Sequence, residues 1–175
     1  MTRSIRLAAV LMMITALAAG GCAKKKKTTA LDESTTYGQG AGSESGLAEG
    51  SSLDRFKRGL GPEEGGVLKD VHFAYDSYEL DSTARDILAA NAEWLKDNPR
   101  ARTEIEGHCD ERGTVEYNLA LGARRAKAVK DYLTTLGISG DRLSTISYGE
   151  ELPLCREASE SCYARNRRVH FVPPQ

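Results

Sequence analysis

The chain lacks an excess of either charge: 24 Lys and Arg stand against 25 Asp and Glu, a formal net of −1. A nucleic-acid binder carries a clear basic excess, so that class is excluded. It also lacks a hydrophobic run long enough to cross a bilayer. The apolar stretch Leu7–Ala19 falls short of the roughly 20 residues a spanning helix needs. There is no His-Glu-x-x-His pair, no Cys-x-x-Cys pair and no Gly-x-Ser-x-Gly elbow, the patterns that carry zinc hydrolysis or serine nucleophiles. His72, His108, Cys109, Asp110, Glu111 and His170 are scattered candidates for metal ligands, but single histidines on strands usually pack or hydrogen-bond. These absences point to a binding protein rather than an enzyme; a metal-dependent hydrolase is the weaker alternative. No cofactor motif and no internal repeat is present.

What is present begins with an export signal. Arg3 and Arg6 precede the apolar stretch, and Ala19-Gly20-Gly21-Cys22 follows it. This is the order of a cleavable leader ending at a lipid-accepting cysteine, although leucine is commoner than alanine at the place of Ala19. Removing residues 1–21 takes away two arginines and no acids, leaving 22 cations against 25 anions and a net of −3. Acylation of Cys22 with two or three chains holds a protein stably in a membrane, where one chain holds it marginally. Ala23, rather than aspartate, follows the cysteine, which by the usual sorting rule directs the lipoprotein to the outer membrane, facing the periplasm. Lys24–Lys27 would then lie at the lipid headgroups.

Residues 22–66 read as a lipidated start and a tether. Thr28–Gly66 is rich in Gly, Ser, Thr and Glu and poor in large apolar residues, so it cannot bury enough surface to offset ordering. About 40 such residues have a root-mean-square span of roughly 35 Å and extend beyond 100 Å. Leu53–Leu60 is the one place within it where a brief helical turn is expected. Export also sets the cysteine chemistry. Cys155 and Cys162 flank a short polar loop in an oxidising compartment, so a disulfide is expected there, contributing about 2–3 kcal/mol. Cys109 is left over and reads as a small buried residue rather than a reactive thiol.

The folded domain is expected over 67–175. Val71–Tyr75 alternates, placing Val71, Phe73 and Tyr75 on one face of a strand. Asp81, Ser82 and Thr83 offer a helix N-cap, and Ala84, Ile87, Leu88, Asn91, Trp94 and Leu95 recur at helical spacing up to Asn98-Pro99. Arg102–His108 alternates again, with Thr103, Ile105 and Gly107 inward. Gly113-Thr114 turns the chain into a second helix over Val115–Leu136, with an inner stripe of Leu119, Ala123, Ala126, Val129, Tyr132, Leu133 and Leu136. Ser144–Tyr148 and Arg168–Val172 read as two further strands, the last ended by Pro173-Pro174. Strands separated by helices imply right-handed crossovers and a sheet with helices on one side.

The chemistry-bearing part is Glu106-Gly-His-Cys-Asp-Glu-Arg-Gly113 followed by Asn118-Leu-Ala-Leu-Gly-Ala-Arg-Arg-Ala126. A carboxylate at a strand end and a guanidinium on the next helix can hold the two ends of a zwitterion. Taken alone, the pair reads equally well as a structural ion pair. With Phe73-x-x-Asp76, Ser147-Tyr-Gly-Glu150 and Asn166-Arg-Arg-Val169, these runs resemble the OmpA C-terminal-like domain family over about Val71–Val172. His-Cys-Asp stands where the family has His-Ala-Asp or His-Thr-Asp, and the Cys155–Cys162 loop departs from the family pattern.

The resemblance implies an α/β (α+β) fold: a βαβαβ-β sandwich with a mixed four-stranded sheet and helices packed on one face. It implies noncovalent binding of peptidoglycan through diaminopimelate, tethering the outer membrane to the cell wall during growth and division. Asp110 would accept the ligand ammonium, Arg125 would clamp its carboxylate and Asp76 would close the pocket, with Asn118 and Arg168 as further contacts. Glu111 and Arg112 would brace the loop. It also implies a periplasmic partner, TolB, on an overlapping surface. Flagellar stator subunits and porins share such a module but need spanning segments, and none follows Cys22.

Overall fold

The computed structural model describes residues 50–61, 64 and 66–172, all within one unit, Gly42–Gln175. The leader, Cys22, the lysine run, the tether up to residue 49 and Pro173-Pro174 lie outside the described residues. Strands β1 (Val71–His72), β2 (Thr103–His108), β3 (Leu143–Gly149) and β4 (Arg168–Phe171) form one sheet in the order β1-β4-β2-β3. β4 runs antiparallel to both β1 and β2, and β2 runs parallel to β3. Among the described residues four α-helices accompany it: α1 (Ser52–Lys57), α2 (Ser82–Asp97), α3 (Val115–Thr135) and α4 (Glu160–Asn166). The sheet is mixed and four-stranded, as expected.

The core lies between the sheet and the two long helices. Asp81 caps α2, accepting from the Ala84 amide at 2.7 Å, and its buried Ala84, Leu88, Ala92 and Leu95 meet Val71, Ile105, Val169 and Phe171 from the strands. Trp94 and Ile87 pack at the rim of this cluster.

On α3 the buried stripe is Asn118, Leu121, Gly122, Arg125, Ala126, Val129 and Leu133. The expected stripe is right from Ala126 onward and wrong before it: Leu119 is 38% exposed and Ala123 is exposed. Polar Asn118 and Arg125 take the inward positions over the first turns, so apolar periodicity misplaces the face there.

Two glycines set the height of α3 above the sheet. A Cβ on Gly107 would stand 2.0 Å from the Gly122 carbonyl oxygen, and one on Gly122 would stand 2.3 Å from Ser147 Oγ. Helix and strand therefore approach backbone to backbone, nearer than any side chain allows.

The expected strand over Val71–Tyr75 is shorter, with two residues in the ladder. Beyond it the carbonyls of Phe73 and Ala74 accept from Arg167 Nε (3.0 Å) and Arg125 Nη2 (3.2 Å), and Asp76 turns the chain with φ +52°. α4 arises where a loop was expected. It has seven residues of mixed polarity, too few for a periodic signal, and Ser159 caps it by accepting from the Cys162 amide at 3.3 Å.

The opposite face of the sheet is buried and polar, carrying Glu106, His108, Arg168 and His170. α1 meets this face: the Ser52 amide donates to Glu106 Oε1 at 2.8 Å and the Ser52 hydroxyl donates to Oε2. Residues 51–57 are thus docked on the domain rather than part of a free tether, because a helix start supplies the donors a buried carboxylate requires. Burial pushes the Glu106 carboxyl up, but His108 Nε2 3.5 Å away and the hydrogen bonds from Ser52 outweigh it and hold it below its ordinary range. Burial lowers His108 to about 4.

Two outcomes are expected. Gly107→Ala forces backbone apart on both sides and should cost about 3 kcal/mol or more; urea unfolding showing a change under about 0.5 kcal/mol would contradict the close approach. For His108 the folded value lies below the unfolded one, so its contribution is complete above about pH 6.5 and falls as pH drops toward 4, by on the order of 2–3 kcal/mol. Urea titrations at pH 7 and pH 5 should show the loss, and His108→Gln should flatten it.

Candidate functional site

The parallel ladder ends in a bulge at Gly107/His108. The next residue is pinned by its amide, Cys109 N donating to the Gly149 carbonyl at 2.8 Å. Asp110 therefore leaves the sheet at a fixed point, at the foot of α3. The 110–113 loop is drawn onto the helix by Asn118, whose Nδ2 donates to the carbonyls of Asp110 (3.2 Å) and Arg112 (3.3 Å) and to Glu150 Oε2. Gly113, at φ +123°, lies 3.4 Å (at its Cβ position) from that same amide, a turn that needs glycine. Thr114 then caps α3, accepting from the Tyr117 amide at 3.2 Å. A cleft of about 410 Å³ opens here, lined among others by Asp76, Asp110, Arg112, Tyr117, Arg125 and Arg167.

Arg125 forms the floor. Its side chain is 0% exposed, and its donors reach backbone carbonyls: Nε to Ser77 (2.8 Å), Nη1 to His108 (2.8 Å) and Nη2 to Ala74 (3.2 Å). Nη1 also lies 3.4 Å from Cys109 Sγ. No carboxylate stands within ion-pair distance of it among the described residues. Burial lowers its pKa, yet a guanidinium stays charged. The pocket floor is a cation solvated by dipoles and lacking a counter-anion.

Asp110 is differently placed. Oδ1 accepts from the Arg112 amide (3.1 Å) and Nε (3.2 Å), and Oδ2 accepts from Arg112 Nη2 (2.7 Å) and Arg167 Nη1 (3.0 Å). Burial pushes its pKa up, but the hydrogen bonds from Arg112 and Arg167 outweigh that and hold it below the ordinary carboxylate range. Asp110 and Arg125 share a cleft and are not sealed to each other.

Asp76, expected as the closing residue, lines the same cleft and accepts from the Tyr117 hydroxyl. Asn118 lines it too, but its amide nitrogen holds the loop. Arg168 is not there. Strand alternation places it beside His72 in the β1–β4 register, on the opposite face, fully buried and 3.8 Å from Asp70. Its neighbour Arg167, the C-cap of α4, reaches the pocket instead.

α4 supplies a brace behind the cleft's arginines that sequence patterns did not reveal. Glu160 accepts from Arg167 Nη2 at 2.7 Å and stands 3.5 Å from Arg112 Nη2. The Arg112 guanidinium lies over the Tyr75 ring at 4.1 Å and over the Tyr163 ring at 4.5 Å. Cys155 and Cys162 are joined as a disulfide that ties α4 to the loop before it, and the Asn166 side chain bonds both the amide and carbonyl of Cys155. The one available signal was the cysteine pair, which marked a closed segment but not its direction. Cys109 is buried with its thiol pushed up by burial to about 11, so it stays protonated and packs. No group of three or more His, Cys, Asp or Glu among the described residues is placed to hold a metal.

Comparison with known proteins supplies the family. The model for the OmpA family matches residues 72–167. The peptidoglycan-associated lipoprotein of Haemophilus influenzae is 41% identical over 139 residues, covering 74% of this chain and 91% of that one. The peptidoglycan-associated lipoprotein of Rhizobium meliloti is 48% identical over 102 residues, 58% of each. The crystal structure of the peptidoglycan-associated lipoprotein from Burkholderia pseudomallei has a TM-score of 0.58 at 40% identity, covering 61% of this chain and 89% of that one. The C-terminal domain of Helicobacter pylori MotB, at 22% identity and a TM-score of 0.56, shares the fold. The chain belongs to the OmpA family.

Because Asp110 holds two arginines with little exposure, Asp110→Asn should destabilise the domain by about 3–5 kcal/mol. Chemical denaturation checks this; a change below about 1 kcal/mol would mean that the two arginines find other partners.

Proposed function

We propose that this cleft grips peptidoglycan noncovalently, by the free amino-acid end of diaminopimelate. The observation that carries the reading is Arg125: a buried guanidinium without an anionic partner, flooring a cleft that also presents Asp76 and Asp110. A carboxylate brought to Arg125 supplies the missing counter-charge, and an ammonium beside it meets the two aspartates. Each such charge-assisted contact contributes about 1.5–3 kcal/mol. The names of the relatives from Haemophilus and Rhizobium, peptidoglycan-associated lipoproteins, support peptidoglycan as the polymer bound.

With Cys22 acylated, the protein sits in the outer membrane and faces the periplasm, and the domain links that membrane to the wall. Its place is the Tol-Pal system, with TolB competing for the wall-binding surface, and its role is envelope integrity and cell division. The grip is reversible because no bond is made: the one thiol in the cleft is buried and stays protonated.

Arg125→Lys keeps a charge but loses the fork, and sacculus co-sedimentation should fall by at least about tenfold, the factor equivalent to 1.4 kcal/mol. Asp76→Asn should weaken binding less. Leu119→Ala, on the outer face of the same helix, should leave it unchanged. Sacculi with amidated diaminopimelate should bind worse than free ones. Undiminished sedimentation of both Arg125→Lys and Asp76→Asn would sink the assignment, and simultaneous binding of TolB and sacculi would sink the competition.

A further inference from the structure

Asp110 presents a difficulty that the ligand must solve. A carboxylate offers about four lone-pair sites, and here Arg112 takes three and Arg167 one. No room is left for an ammonium while both arginines stay. The two are not equally fixed. Arg167 is 7% exposed and is tied by Nε to the Phe73 carbonyl at 3.0 Å and by Nη2 to Glu160 at 2.7 Å. Arg112 is 33% exposed, and Asp110 beneath it 4%. Of the two arginines on Asp110, Arg112 is the one that solvent reaches.

We infer that Arg112 is a specificity-determining residue: its guanidinium stands in the unliganded cleft where the ligand's ammonium is to bind, so binding exchanges one cation for another on Asp110. This rests on the diaminopimelate reading above. The surroundings suit such an exchange. The rings of Tyr75 and Tyr163 lie 4.1 and 4.5 Å from the guanidinium, and their faces attract a cation whichever one is present. Glu160 Oε2 waits 3.5 Å from Arg112 Nη2 and can take the displaced group with a small swing, with Tyr163 still beneath it. The disulfide between Cys155 and Cys162 and the Asn166 side-chain bonds keep α4, and so Glu160 and Tyr163, in place for that handover.

Charge accounts for selectivity. Removing one partner of a buried pair without replacement costs several kcal/mol. An ammonium replaces the lost charge on Asp110, whereas a ligand offering a carboxylate alone cannot. Arg112 on Asp110 therefore screens ligands for a cation next to their anion, and Arg125 tests only the anion.

The test follows the arginine Nε–H signals of the purified full-length protein by NMR. The probes are a soluble tripeptide ending in meso-diaminopimelate and the same peptide lacking the distal amine. With the first at saturation, judged from the shift of Arg125 Nε–H, the Arg112 Nε–H signal should move from its free-protein position or be lost while that of Arg167 persists. With the second, the Arg112 signal should remain. If the first peptide shifts Arg125 and Arg112 keeps its free-protein signal, the exchange is wrong although the pocket stands. If the peptide without the amine removes the Arg112 signal equally well, charge replacement is wrong. If neither peptide moves Arg125, the diaminopimelate reading fails and the inference with it.

Discussion

One buried cation organises this domain. Arg125 lies on α3 and donates to the carbonyls of Ala74, Ser77 and His108, joining the turn after β1, the end of β2 and the helix. A guanidinium removed from water must have its donors satisfied, and here the backbone beyond the end of β1 supplies two of the acceptors. The arrangement is possible only because α3 lies so near the sheet, where Gly107 and Gly122 touch through their backbones. Carbonyl dipoles solvate the charge without neutralising it, which leaves the floor of the cleft receptive to an anion.

The two carboxylates of the cleft show a division of labour. Asp76 sits at a strained turn and is bonded by a tyrosine hydroxyl, exposed and ready. Asp110 is buried under arginines that satisfy it. The second arrangement protects a carboxylate that would otherwise be costly in the empty pocket, and it explains why the cleft carries three guanidinia against two acids. α4, tied by its disulfide, is what makes this pairing stable, since Glu160 and Tyr163 are the backing for Arg112.

The sheet separates two unlike interiors. Toward α2 and α3 it is apolar and close-packed; toward α1 it carries Glu106, His108, Arg168 and His170, all buried. Arg168 has no hydrogen-bonded partner there and stands at ion-pair range from Asp70, and burial lowers it to about 10. Adjacent arginines in one short run thus serve opposite faces: Arg167 precedes the strand and turns to the cleft, and Arg168 is the strand's first residue and points away.

The alternation of Val71 and Phe73, though not of Tyr75, which is exposed, that of Thr103–Gly107, the α2 stripe, the cap at Asp81 and the glycine-threonine entry to α3 were legible because each is a local rule, set by backbone period and side-chain chemistry within a few residues. So was the likeness of the Glu106–Gly113 and Asn118–Ala126 runs to a known family, which brought Asp110 and Arg125 to attention. The inward face of α3's first turns was not legible, because apolar periodicity cannot anticipate a helix that buries an asparagine and an arginine. Nor were α4, the docking of α1 on Glu106, the place of Arg167, or the pairing of Asp110 with Arg112. These depend on which donors and acceptors are brought within about 3 Å by segments far apart in the chain. Local chemistry determined the elements and the candidate charges; which charge faces which was decided only when the chain closed on itself, since an ion pair is set by distance in space and not by spacing in sequence.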